Sequence, residues 1–182
     1  MEAHKLLHLY QSGERNFNGA NLHKAKLNHA NLRGVNLANA DLSGADLSQA
    51  NLSNCNLSRA NLTNADLSGA NLQNANLSEV NLIGADLIKT NLQETNLTRA
   101  DLRSANLILA NLQSANLSEA EMSGADFSGA DFYQANLMGS NLNEAELTST
   151  NLAEAIVSEL EITGTILHLG LSHKWITWAG SY

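Results

Sequence analysis

The side chains that could carry chemistry are mostly Asp and Asn, which recur along nearly the whole 182-residue chain. A dense series of carboxylates is compatible with metal binding or general acid–base catalysis, and His4 and His8 stand at the spacing of one helical face. Cys55 is the only cysteine, so no disulfide can form within the chain. No zinc spacing, phosphate-binding glycine loop or nucleophile motif accompanies these residues. We therefore predict no metal and no cofactor, and we do not expect an enzyme.

The Asp and Asn residues belong to a five-residue repeat, which explains their spacing structurally. The unit is a small residue, Asn or Asp, Leu and two further residues, as in ADLSGADLSQANLSNCNLSRANL at residues 40–62. Its central position falls on every number ending in 2 or 7 from Phe17 to Leu167, and all 31 of these residues are apolar. A period of five belongs neither to a helix nor to a flat strand. It predicts a short extended segment followed by a tight turn, with the Asn or Asp side chain bonded to nearby backbone.

Glycine indicates where the turn lies. Nine of the twelve glycines stand two residues after a central residue, and several Asn residues use the same slot. Gly and Asn accept positive φ, so this slot predicts a type II turn at each corner. The central residue and the small residue must then point inward. Cys55 stands in a small-residue slot and is expected to be a buried, inert thiol.

The repeat closely resembles the pentapeptide-repeat family, whose unit is A-(D/N)-L-x-x, over residues 15–169. The resemblance implies an all-β fold, a right-handed quadrilateral β-helix with four repeats per coil and about eight coils. Residues twenty apart should then stack. Two series agree with this expectation: the Asn series that starts at Asn16, Asn36 and Asn56, and the sign-alternating series Arg59, Glu79, Arg99 and Glu119. The N-terminal segment and the Leu-rich centres also resemble cyanobacterial members, including one that affects heterocyst differentiation.

The two ends differ from the repeat. Residues 1–14 predict an N-terminal helical cap, with a helix at about residues 2–12 that ends at Gly13. Residues 15–169 form the predicted β-helix, and residues 170–182 the C-terminal cap. Ser172 is placed to begin a short helix through Trp178. Apolar residues at this end predict either a lid or a dimer interface, hence a monomer or a C-terminally mediated homodimer: Ile156, Leu160, Ile166, Leu171, Trp175 and Trp178.

Acidic residues and unusual apolar residues at outward positions indicate that one side of the predicted rod is special. The chain carries a net charge of −8, and nine acids but no Lys or Arg lie between Arg103 and Lys174. One twenty-residue column is almost wholly acidic: Asp46, Asp66, Asp86, Asp126 and Glu146. Ile88 and Ile108 fall on the same side, with Leu109 at the adjacent corner and Ile83 one side earlier. An apolar cluster rimmed by acids predicts a protein-binding patch.

These features favour a non-enzymatic scaffold that binds an unidentified protein partner through an acidic and apolar face, and the resemblance to cyanobacterial members implies a regulatory role. The alternative is a DNA mimic that modulates DNA gyrase, as the family resemblance implies for some members. Direct nucleic-acid binding is not expected of an acidic rod without a basic, aromatic groove. No apolar run approaches the roughly 18 residues of a membrane span. A signal peptide is not recognisable either, so we predict a cytoplasmic protein.

Overall fold

The structure is a computed structural model that describes residues 1–157 and 177–178. Its regular elements are helix α1 (Ala3–Gln11), strand β1 (Ile156–Val157) and strand β2 (Thr177–Trp178). Between α1 and β1 the chain forms a continuous series of single-residue parallel bridges and turns. Each bridge joins residues twenty apart, from Asn16↔Asn36 to Asn136↔Ile156. Four five-residue repeats therefore complete one coil, and the fold is a right-handed quadrilateral β-helix.

Backbone hydrogen bonds between successive coils hold the rod together. The Leu87 N–H donates to the Asn106 carbonyl at 2.7 Å, and the Asn106 N–H donates to the Ala85 carbonyl at 3.0 Å. The same two bonds recur on each side of most coils. Because both neighbouring coils satisfy the strand segments, the middle coils of the described rod present no unpaired strand edge.

Each corner is a tight turn, as the glycine pattern predicts. The central carbonyl accepts the N–H three residues on, for example Leu82 O from Ala85 N at 3.0 Å. The residue two after the centre has positive φ at every corner from Gly19 to Glu154. This conformation defines the type II turn. It is not confined to glycine and Asn, since Arg59, Lys89 and Leu109 also adopt φ between 56° and 59°.

The interior is filled by the central residues and the small residues of the repeat. Central Leu side chains such as Leu87 and Leu107 are fully buried, and the Ala residues beside them are at most 2% exposed in the middle coils. Where Thr replaces Ala, its hydroxyl finds a backbone acceptor: Thr90 Oγ1 donates to Leu67 O at 2.8 Å. Phe127 and Phe132 occupy central positions and meet edge to face at 5.1 Å between ring centroids.

Helix α1 covers the first coil, as expected for an N-terminal cap. Leu6 is fully buried and joins the core of the rod, and Tyr10 packs against that core. The Tyr10 hydroxyl donates to Arg33 O at 2.9 Å, while the Arg15 guanidinium lies 3.8 Å from the centroid of the Tyr10 ring. The chain leaves the helix through Gly13 at φ +99°. The exact division into caps and β-helix stays a prediction.

The chain closes back on the last described coil through a parallel strand pair. Strand β2 pairs with β1 in the register Ile156↔Thr177 and Val157↔Trp178. The predicted short helix through Trp178 is therefore wrong at its C-terminal end, because Thr177 and Trp178 extend the sheet instead. This pair is twenty-one residues apart rather than twenty, so one extra residue lies between the two strands.

Candidate protein-binding face

One side of the rod places the predicted acidic column in a single line. Bridges run Lys26↔Asp46↔Asp66↔Asp86↔Asn106↔Asp126↔Glu146, one residue per coil. Successive coils of such a stack lie about 4.8 Å apart. We call this side, whose central residues include Leu67, Leu87 and Leu107, the acidic face.

The repeat itself fixes the carboxylates of the acidic face. Asp86 Oδ1 accepts the backbone N–H of Ile88 at 3.1 Å, and Asp66 Oδ1 accepts that of Ser68 at 2.9 Å. The same bond recurs throughout the rod, and it explains why Asn or Asp precedes each central residue. The second oxygen of Asp66 and of Asp86 has no partner among the residues that the structure describes. It remains available to a ligand.

The acidic face differs electrostatically from its neighbours. On the other sides, an amide often stands above an amide or a carboxylate and donates to it, as Asn96 Nδ2 does to Asn76 Oδ1 at 3.3 Å. On the acidic face, Asp46, Asp66 and Asp86 stack in succession with no donor between them. Lys26 Nζ pairs with Asp46 Oδ2 at 3.5 Å at the lower end of the column. Like charges stacked at this spacing repel one another.

An apolar cluster lies beside the middle of the acidic column. We define it as Ile88, Ile108 and Leu109. Ile88 and Ile108 occupy consecutive coils, and Leu109 is the exposed corner residue, with 53% of its surface accessible. Both isoleucines are half-buried, because stacked neighbours cover part of each side chain. Leu109 is therefore the most exposed of the three residues.

Ile83 belongs to the side that precedes the acidic face in the chain rather than to this cluster. The Asn64 N–H donates to the Ile83 carbonyl, and the Gly84 N–H to that of Arg103, so Thr63 and Arg103 are its stacked neighbours. Ile83 is also half-buried. The corner at Gly84 separates it from Asp86 and Ile88. Of the predicted patch, the structure thus brings Ile88, Ile108 and Leu109 together with the column and leaves Ile83 around a corner.

Glycine is frequent at the corners that border the acidic face. Five of the eight corner glycines in the described coils border it: Gly44, Gly84 and Gly124 on one side, Gly69 and Gly129 on the other. Lys24 and Lys89 are cationic corners of these rims, and Lys89 lies in the coil below Leu109. The opposite rim of the rod instead carries the predicted charge ladder, where Arg59 contacts Glu79 at 3.0 Å and Arg99 contacts Glu119 at 2.7 Å.

Other sequence candidates have structural explanations. Cys55 is buried in its small-residue slot, and burial raises the pKa of its thiol to about 12. His4 lines a cavity of about 530 Å³ between α1 and the first coil, together with His23, Lys24 and Lys26. Within the described part of the chain, no three His, Cys, Asp or Glu residues gather at a metal-binding distance.

The predicted C-terminal contacts lie mostly beyond the described residues. Ile156 is exposed, with 38% of its surface accessible, as its outward position predicts. Trp178 is described only as part of β2. The remaining predicted contacts fall outside the described residues: Leu160, Ile166, Leu171 and Trp175. Both the lid and the dimer interface stay predictions.

A comparison with protein families agrees with the repeat geometry. The family model for pentapeptide repeats matches the chain in overlapping segments between residues 16 and 168. The chain belongs to the pentapeptide-repeat family. No curated protein matches the sequence significantly. In this pentapeptide-repeat protein, no helix within the described residues has the length and hydropathy needed to cross a bilayer.

Solved structures of other pentapeptide-repeat proteins resemble the chain. HetL, involved in heterocyst differentiation regulation in the cyanobacterium Nostoc, is 32% identical, with a TM-score of 0.55 over 87% of this chain and 82% of HetL. Rfr23 from the cyanobacterium Cyanothece is also 32% identical, with a TM-score of 0.39 over 82% of this chain and 99% of Rfr23. The fluoroquinolone resistance protein QnrB1 is 19% identical, with a TM-score of 0.49 over 91% of this chain and 87% of QnrB1. Of these three structures, HetL combines more than 30% identity with a TM-score above 0.5.

Proposed function

We propose that this pentapeptide-repeat protein is a non-enzymatic scaffold that binds a protein partner through the acidic face. The observation that carries the proposal is the placement of the apolar cluster beside an acidic column that is interrupted at Asn106. Protein-binding surfaces combine an apolar centre with a polar rim in this way. The rod interior is filled by Leu and Ala, so the outer surface is where a partner would bind.

The likeness to HetL supports a regulatory role. HetL is involved in heterocyst differentiation regulation, and its sequence identity to this chain is 32%. A role that depends on binding another protein suits a surface of this kind. The partner is expected to be basic where it meets the acidic column, because opposite potentials guide and orient association.

The proposal is tested by comparing partner capture between matched variants. The double variant Ile88→Ser/Ile108→Ser removes apolar groups that face outward and leaves the core Leu residues unchanged. The control Gln93→Ser/Gln113→Ser alters the same slot in the same two coils on the adjacent side. Each protein is immobilised and exposed to lysate, and captured proteins are quantified by mass spectrometry.

We expect at least one partner to be retained by the wild type and the control and lost by the Ile double variant. Equal capture by all three proteins would refute a role for the acidic face. Circular dichroism must show that all three rods are folded, since the comparison depends on an intact β-helix.

The alternative is DNA mimicry directed at gyrase, favoured by the acids of the C-terminal half. DNA carries one negative charge per roughly 1.7 Å along a regular double helix. In this chain, several of these acids already contact other side chains of the rod, and they lie on different sides. Glu119 pairs with Arg99, Glu121 accepts from Asn141, and Asp131 accepts from Asn151. A gyrase supercoiling assay separates the two functions. Inhibition or protection by the pure protein at micromolar concentration would favour mimicry.

A further inference from the structure

We propose that the occupant of the acidic face is a basic amphipathic α-helix that lies along the rod axis. This inference rests on the protein-binding function proposed above and specifies the chemistry of the partner. It follows from the order of charges, the spacing of the coils and the shape of the face.

The order of charges along the acidic column favours a partner with two groups of cations separated by an uncharged residue. Among the described residues, Asp66, Asp86, Asp126 and Glu146 have no cation within ion-pair distance, whereas Asp46 has Lys26. The column is uncharged only at Asn106, whose side chain accepts the Ile108 N–H at 3.3 Å. The apolar cluster therefore lies beside Asn106 and the neighbouring Asp86, since Ile108 and Leu109 follow Asn106 and Ile88 follows Asp86. A matching partner carries cations on both sides of an apolar group.

The spacing of the carboxylates favours a helix over a strand. Coils repeat about every 4.8 Å, and an α-helix repeats every 5.4 Å, so a cation on each turn drifts by only about 0.6 Å per coil. Flexible Lys and Arg side chains absorb that difference. In an extended strand, side chains on one face repeat about every 6.7 Å and are out of register by the second carboxylate. Asp66 to Glu146 spans four coil steps, or about 19 Å, which roughly 13 helical residues cover.

The shape of the face also suits one helix. The extended residues of one side span about 10 Å, close to the diameter of a helix with its side chains. Gly84 and Gly124 on one rim and Gly69 and Gly129 on the other have no side chain of their own, although the Asn64 side chain reaches over Gly84 and the Leu109 side chain over Gly129. Leu109 therefore lies along one rim, where it can pack against an apolar stripe. The partner helix therefore carries Lys or Arg on one stripe and Leu-type residues on the adjacent stripe.

Synthetic peptides test the inference directly. The first probe is a fluorescein-labelled 18-residue peptide with Lys once per turn on one stripe, Leu on the adjacent stripe and Ala elsewhere. The second has the same composition with Lys and Leu in strict alternation, which is the pattern of a strand. Affinity is measured by fluorescence anisotropy against the full-length protein at low and high salt.

We expect the helical peptide to bind at least about tenfold more tightly than the alternating one. Asp66→Asn/Asp86→Asn should weaken its binding by about fivefold or more, as the loss of two rim ion pairs predicts. The charge-matched control Asp41→Asn/Asp131→Asn, on two other sides, should weaken it by less than twofold. Binding should also fall steeply between 50 mM and 500 mM NaCl, because exposed charges are screened.

Two outcomes would overturn the inference, and they differ from failure of the proposed function. Equal affinity for both peptides would reject the helix, and equal weakening by the two charge variants would reject the acidic face as its site. If lysate capture still depends on Ile88 and Ile108 while both peptides fail, the scaffold function stands and only the helical partner is rejected. If capture is also independent of the Ile pair, the proposed function itself is wrong.

Discussion

Replacing Asp66 with Asn should stabilise the rod, although it removes a residue of the proposed binding face. Asp66 stands between Asp46 and Asp86 in the acidic column, with no donor between the three carboxylates. An Asn at this position keeps the acceptor for the Ser68 N–H, now 2.9 Å away. It also brings an amide that can donate to Asp46, as Asn61 Nδ2 does to Asp41 Oδ1 at 3.4 Å on a neighbouring side.

The size of the effect follows from the spacing of the coils. Two unit charges 4.8 Å apart in water repel by about 0.9 kcal/mol, and Asp66 has two such neighbours. Lys26 offsets part of the charge of Asp46, and like pairs in sheets typically cost about 0.2–1 kcal/mol. Relief of repulsion of about 1 kcal/mol and a new hydrogen bond of about 0.5 kcal/mol give an expected gain of about 1–1.5 kcal/mol.

Urea unfolding at 20 mM and at 1 M NaCl measures this gain and its origin. The Debye length falls to about 3 Å at 1 M salt, so the part due to repulsion should largely disappear there. The control is Asp41→Asn, because Asp41 lies between Asn21 and Asn61 rather than between acids. That variant should be neutral or slightly less stable, since Asp41 also accepts the Ser43 hydroxyl at 2.6 Å. An Asp66→Asn protein no more stable than the wild type, or a gain unchanged by salt, would refute the reasoning.

Three further predictions concern the core, the corners and pH. Cys55 should react with iodoacetamide at pH 8 only after denaturation, because burial raises its pKa to about 12; rapid labelling of the native protein would contradict this. Gly34→Ala should cost about 1 kcal/mol in urea unfolding through its φ of +68° alone, since nothing lies within 4 Å of the added Cβ; an unchanged midpoint would contradict it. The Ser43 hydroxyl lowers the pKa of Asp41 and the Arg59 hydrogen bond lowers that of Glu79. Their stabilising contribution should therefore be complete above about pH 5 and be lost as the pH falls below about 4. The Tm difference between the wild type and an Asp41→Asn/Glu79→Gln variant should shrink over that range, and a constant difference would contradict the prediction.

Most of the fold was predictable because one geometric unit repeats with a constant register. The inward Leu, the small residue, the Asn column and the positive-φ corner each leave a compositional trace every five residues. The corners at Lys89 and Leu109 carry no such trace in their own residue type. They adopt positive φ because the coils above and below fix the turn, so the repeat prevails over local preference.

The ends and the surface were less predictable, since one unit no longer dictates them. The segment ending at Trp178 was predicted as helical from a local cap residue, but pairing with Ile156–Val157 makes its end a strand. The half-burial of Ile88 arises from stacking with the next coil, and a sequence pattern does not show how much surface that stacking covers. The cavity beside His4 depends on how α1 docks, which the sequence does not specify either.

Because the bridges join residues twenty apart, the separation of two residues in the sequence fixes the angle between them around the rod axis. Inserting or deleting one five-residue unit would leave every later Leu in the interior, yet it would turn all later residues by a quarter of a revolution. Asp126 and Glu146 would then face a different direction from Asp66 and Asp86. A change of twenty residues would preserve the direction and alter only the length. Two surface residues face the same direction when the number of five-residue units between them is a multiple of four. Binding can depend on this number, whereas stability does not.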